Sequence, residues 1–167
     1  HLQKYISQLF PVDYTWAKRS KKGIAVGVYL PDTVKEKIKV VFAIDLSGSI
    51  GDEEKADFVS EIVGVANQYQ NRADFRILTH DTKVHTDEKV DRATKEKVCN
   101  VKYHGGGGTS HREVMQYIED NVKDVKAVVF FTDAYSDLQD IDFGEFRYGK
   151  IFVISKNGDE RCLSGKN

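Results

Sequence analysis

The stretch Lys39-Val40-Val41-Phe42-Ala43-Ile44-Asp45-Leu46-Ser47-Gly48-Ser49 decides how the rest of this chain is read. Its apolar run, Val40 to Ile44, is too short for a helix and lacks the alternation of a half-exposed strand. It therefore reads as a central parallel strand buried on both faces. The run stops at Asp45, and from there every second residue carries an oxygen. In an extended turn alternate side chains point the same way, so Asp45, Ser47 and Ser49 converge.

Working outward, two runs share the shape of the first: Ala127 to Phe131, ending in Thr132 and Asp133, and Ile151 to Ile154, ending in Ser155. Phe75 to Leu78 is a weaker fourth. Between them lie helical stripes, Ala56, Val59, Ile62, Val63, Ala66 and Tyr69, then Val114, Met115, Ile118 and Val122. Alternating strand and helix predicts an α/β fold with three layers: a mostly parallel central sheet, helices on both faces and right-handed crossovers. Thr82 to Val90 follows the Phe75 strand too closely for a helical crossover and reads as an antiparallel edge strand. Residues 1–38 mix aromatics with a basic patch from Lys18 to Lys22 and show no sustained period. They read as a lead-in segment packed on a domain that spans 39–167.

Composition narrows the function classes. The 167 residues suit one domain with a real core. With 26 acids against 25 lysines and arginines, the balance points to neither nucleic acid nor an anionic membrane. No apolar run approaches the ~18 residues of a membrane span, and the start lacks a signal-peptide pattern. Cys99 and Cys162 fit no CxxC, haem or zinc spacing and read as free thiols of a reducing compartment, with a bridge between them as the alternative. The expected location is cytoplasmic. The chain starts at His1 and its only methionine is Met115, so it reads as a piece of a longer polypeptide.

In open α/β sheets ligands bind beyond the carboxyl ends of the strands, and here two core strands finish at aspartates, Asp45 and Asp133. Two hydroxyls and a carboxylate suit a hard cation such as Mg²⁺, Mn²⁺ or Ca²⁺. The alternative for Ser49 is a cap on the following helix, with Asp52, Glu53 and Glu54 at the positive end of its dipole. A second constellation, Gly105-Gly106-Gly107-Gly108-Thr109, leads straight into the second helix, where Ser110 and Glu113 form a capping box. That favours a shaped loop over a flexible connector. The histidines His80, His85, His104 and His111 show no HxH or HExxH spacing, which argues against zinc.

Taken together, DxSxS after the first core strand, a threonine after a glycine-rich loop and an aspartate ending the next core strand resemble a von Willebrand factor A (VWA) domain with a metal-ion-dependent adhesion site. The resemblance covers about Lys39 to Gly158. It implies that Ser47 and Ser49 ligate a metal directly, that Thr109 does so directly or through water, and that Asp45 and Asp133 act largely through waters. Asp13-Tyr14-Thr15-Trp16, Tyr29-Leu30-Pro31 and the glycine loop look more narrowly like the carboxy-terminal VWA-like domain of predicted bacterial and archaeal metal-dependent peptidases. Two positions depart from that subfamily, which usually has aspartate where Ser110 stands and glycine where Ala134 stands.

A dication facing mostly neutral hydroxyls keeps an electrophilic open position, which suits a carboxylate oxygen from another protein. The expected function is therefore metal-dependent binding of a protein partner that presents Asp or Glu, with Mg²⁺ first in line. The subfamily resemblance implies an AAA+ ATPase or the amino-terminal domain of the same chain as partner, and an accessory role in a larger metallopeptidase. A metal-free interaction domain with a degenerate site is the other alternative. Specificity would come from loops beside the rim, Ala134 to Phe146 with Tyr135, Asp137, Asp140 and Asp142, and the segment near His104 and His111. Catalysis fits poorly. Phosphoryl-transfer enzymes of this layout need a second acid where Ser47 stands, serine hydrolases want GxSxG, and the glycine run lacks the lysine of a phosphate-binding loop.

Overall fold

The computed structural model describes residues 2–9, 14–19, 24–27, 31–33, 37–48, 50–90, 94, 108–156 and 158–163. Ser49, Gly105 to Gly107, His104, Cys99 and the side chain of Cys162 lie outside the described residues. The chain divides into two compact units, His1–Lys37 and Ile38–Asn167. The first holds more regular structure than its aperiodic sequence advertises. It contains a short helix, α1 (Leu2–Gln8), and two antiparallel strands, β1 (Tyr14–Arg19) and β2 (Pro31–Thr33).

The second unit is built on a sheet of five strands, β3 (Ile38–Asp45), β4 (Ala73–His80), β5 (Val84–Lys89), β6 (Val125–Thr132) and β7 (Gly149–Ile154). Their order is β5-β4-β3-β6-β7, and only β5 runs antiparallel. The continuous apolar run of β3 is explained by its place in the middle, where Val40 to Ile44 are all fully buried. β7 has the same apolar shape but lies at the edge, and its residues are only half-buried. An apolar run reports burial on two faces and says nothing of how many neighbours a strand has.

Alternate residues of β3 feed two cores. Val41 and Ala43 join Val128, Phe130, Val114, Met115 and Ile118, so the helix α3 (His111–Asn121) covers that face. Phe42 faces the other way, onto Phe75 at 5.7 Å and Phe131 at 6.3 Å between ring centroids. There Phe131 meets Phe58 of the helix α2 (Asp52–Tyr69) at 4.7 Å. The unit is thus a three-layer α/β fold with a helix on each face. The α2 stripe buries Val59, Ile62, Val65 and Ala66, with Val63 half-exposed.

The N-cap of α2 is Gly51, and Ser49, the alternative cap, lies outside the described residues. Asp52, Glu53 and Glu54 occupy its first turn, where the helix dipole favours them. The capping box on α3 is half formed. The Ser110 hydroxyl accepts the Glu113 N–H at 3.4 Å, but the Ser110 N–H donates to the Asp81 carbonyl at 3.1 Å rather than to Glu113. No described helix is long and apolar enough to cross a membrane.

Candidate functional site

The chain moves from β3 to β4 on one side and later to β6 on the other. The carboxyl ends of β3 and β6 therefore flank the point where the order reverses, and crevices open at such points. Asp45 closes β3 there, opposite His80 of β4 in the register. It shares a face with Val41 and Ala43, which turns it toward the start of α3.

Asp45 is fully buried, and neutral donors surround its carboxylate. One oxygen, Oδ1, accepts the Ser47 backbone N–H at 2.8 Å and the Thr109 hydroxyl at 3.3 Å. The other, Oδ2, accepts the Thr132 hydroxyl at 2.8 Å. One carboxylate thus ties the end of β3 to the residue before α3's cap and to the last residue of β6. Thr132 also accepts the Ala134 N–H at 3.0 Å, so it links Asp45 to the loop behind β6.

Asp133 follows β6 and is 2% exposed. Its Oδ1 accepts the Tyr135 N–H at 3.1 Å, whereas Oδ2 is buried with no hydrogen-bond partner. The Asp133 backbone is held from behind, because its carbonyl accepts the Asp159 N–H at 2.9 Å. Gly158 packs so closely there that a Cβ would stand 2.6 Å from the Asp133 carbonyl oxygen and would also collide with Ile154. Glycine is required at that close approach. Among the described residues neither Asp45 nor Asp133 has an ion-pair partner. Two buried carboxylates without a counter-charge are costly unless a cation joins them.

The structure therefore brings Asp45, Ser47 and Thr109 into one hydrogen-bonded cluster, with Asp133 one residue from the Thr132 that completes it. Ser47 and Thr109 are both buried. Sequence reasoning passed over the role of Thr132, although its parity with Val128 and Phe130 was available as a signal.

The rim acids expected to confer specificity are mostly tied down. Asp137 binds the start of α3: its Oδ1 accepts the His111 N–H at 2.7 Å, and its Oδ2 accepts the Ser110 hydroxyl at 2.8 Å and the Arg112 N–H at 3.3 Å. Asp142 accepts the Gly144 N–H at 2.9 Å and caps a short 3₁₀ turn. Tyr135, by contrast, is 61% exposed beside Asp133.

Two histidines that looked scattered in sequence meet in the core. His80 and His111 are both fully buried, edge to face with centroids 5.3 Å apart, and His111 also contacts Phe130 at 5.6 Å. His80 Nε2 and both His111 ring nitrogens lack hydrogen-bond partners. Burial, with the neighbouring His80 adding to it, lowers the His111 pKa to about 3. Burial also lowers that of His80, against the opposing pull of Asp45 and Asp81. His85 lies apart, on Asp81 at 2.8 Å.

An α/β unit with its polar cluster at the switch point of a mostly parallel sheet belongs to the class of doubly wound binding domains. More narrowly, residues 40–161 match the family model described as VWA-like domain (DUF2201), and the chain belongs to that family. The family makes it an interaction or accessory module. No curated protein matches the chain.

Proposed function

We propose that this domain binds a protein partner through one divalent cation, Mg²⁺ first, held at the carboxyl ends of β3 and β6, and that it binds rather than catalyses. The observation that carries this reading is the pair of buried, uncompensated carboxylates, with one Asp133 oxygen left without a partner. The donor set fits a hard cation: the hydroxyls of Ser47, Ser49 and Thr109, with Asp45 and Asp133 as the charged members. When bound, such a cation supplies an electrophilic position that takes a carboxylate oxygen from an Asp or Glu of the partner.

The chain's own residues do the positioning. Asp45 orients the Thr109 hydroxyl by accepting its proton, which leaves the oxygen's lone pairs for a ligand role. Thr132 and the Ser47 N–H hold Asp45 itself in place. Tyr135, exposed next to Asp133, is positioned to meet the partner's surface. The first partners to try are those the peptidase resemblance suggests, an AAA+ ATPase or the amino-terminal domain of the same chain.

A cation that binds only the folded state must raise its stability, by about 2.7 kcal/mol at a hundredfold excess over Kd. Thermal unfolding with Mg²⁺ should therefore shift upward for the wild type, and Asp133→Asn should remove the shift. A wild type whose melting temperature ignores Mg²⁺, Mn²⁺ and Ca²⁺ alike would refute the reading.

A further inference from the structure

We infer that Asp137 is a positioning residue of the metal site: by clamping the first turn of α3 it keeps Thr109 on Asp45 and thereby sets the affinity for the cation. The inference rests on the metal-binding reading above.

Thr109 makes the longest of the three hydrogen bonds to Asp45, at 3.3 Å, so this bond alone fixes it weakly. The residues before it, Gly105 to Gly108, have no side chains with which to anchor the backbone. The described anchors lie on the other side. There Asp137 takes the Ser110 hydroxyl and the N–H groups of His111 and Arg112, and the Asp81 carbonyl takes the Ser110 N–H. Hydrogen bonds to a carboxylate are the stronger kind, and negative charge at a helix start is favoured by the dipole.

These bonds also close a ring. From Asp45 the path runs to Thr109, along the chain to Ser110, across to Asp137, back along the chain to Asp133 and Thr132, and across to Asp45 again. Thr109 and Asp133 lie on opposite arms of that ring, and Asp137 bonds across from one arm to the other on the side away from Asp45. Cutting this crossing removes three of the bonds that hold the Thr109 arm to the loop after β6, while Asp133 stays held through the Asp159 N–H. Ser110 suits this arrangement, because the aspartate of the resembled subfamily would set two like charges against each other here.

The test is isothermal titration of Mg²⁺ and Mn²⁺ into the purified chain, with unfolding measured alongside. Partners of this outer kind typically govern metal affinity by 10–100-fold, so Asp137→Ala should weaken uptake by about that factor. Asp137→Asn should fall between, since its carbonyl oxygen in the place of Oδ2 can still accept from Ser110 and Arg112 while the amide group opposes the His111 N–H. It also carries the test if the alanine variant fails to fold. Val65→Ala, buried far along α2 from the rim, is the control: it should lose stability yet keep wild-type affinity. Wild-type affinity in both Asp137 variants, or a parallel loss in Val65→Ala, would overturn the inference. A wild type that takes up no metal would instead overturn the reading beneath it.

Discussion

At the scale of single residues the site is an exercise in holding two acids still. Asp45 is immobilised by three donors and Asp133 by a backbone locked from behind, so neither can swing out to water. Ala134 shows what this costs. It follows Asp133 with φ at 66°, in the left-handed region where a Cβ is strained by about 1 kcal/mol. The glycine that the resembled subfamily carries there would relieve that strain at some cost in chain entropy, of order half a kcal/mol. Ala134→Gly should therefore stabilise the fold modestly, by about 0.5 kcal/mol, in urea unfolding. A destabilised variant would show that the Ala134 methyl, which is buried, contributes more through packing than its backbone loses.

At the scale of elements, much was legible. The uninterrupted run of β3 and the stripes of both helices follow from what burial imposes on sequence, and the hairpin of β5 follows from the short gap after β4. Three things were not. The regular structure within residues 1–37 carries no period. The edge position of β7 is hidden, because its apolar face is shared with interior strands. The meeting of His80 with His111 joins the end of β4 to the start of α3, a contact set by topology and not by spacing.

That meeting has a pH consequence. Both imidazoles have lowered pKa values in the fold and ordinary ones near 6.5 when unfolded, so below 6.5 the unfolded chain takes up protons that the folded chain refuses. Stability is full above that pH and falls as pH drops toward about 3, where His111 would itself protonate. The groups facing the pair are Asp45, Asp81 and His85 around His80, and Asp137 at 3.9 Å from His111. The carboxylates oppose the trend only in part, and His85 adds to it. Unfolding with chelator present should show the urea midpoint dropping from pH 7.5 to 5.5, with His111→Leu flattening the slope by about 0.7 kcal/mol per pH unit. A slope unchanged by that substitution would mean His111 is not the group that refuses the proton.

At the scale of the whole molecule, topology and charge meet at one rim of the sheet. A sheet that winds outward from β3 in both directions gathers the ends of β3 and β6, and the loop before α3, at one place on the rim. In sequence, Asp45, Ser47, Ser49 and Asp133 could be nominated from the pattern of strand ends, and Thr109 through the resemblance to a VWA domain. What no pattern could supply was the wiring, in which Thr132 and Asp137 brace the cluster from positions that look like an ordinary strand end and an ordinary solvated loop. The burial of two acids without a counter-charge likewise emerges only when the chain is folded. The central claim is that a divalent cation restores that balance. Its most direct test is isothermal titration of the wild type and of Asp45→Ala with Mg²⁺ and Mn²⁺, each variant checked for folding. Saturable binding at one site is expected in the wild type and none in folded Asp45→Ala; equal binding by both, or none by a folded wild type, would contradict the claim.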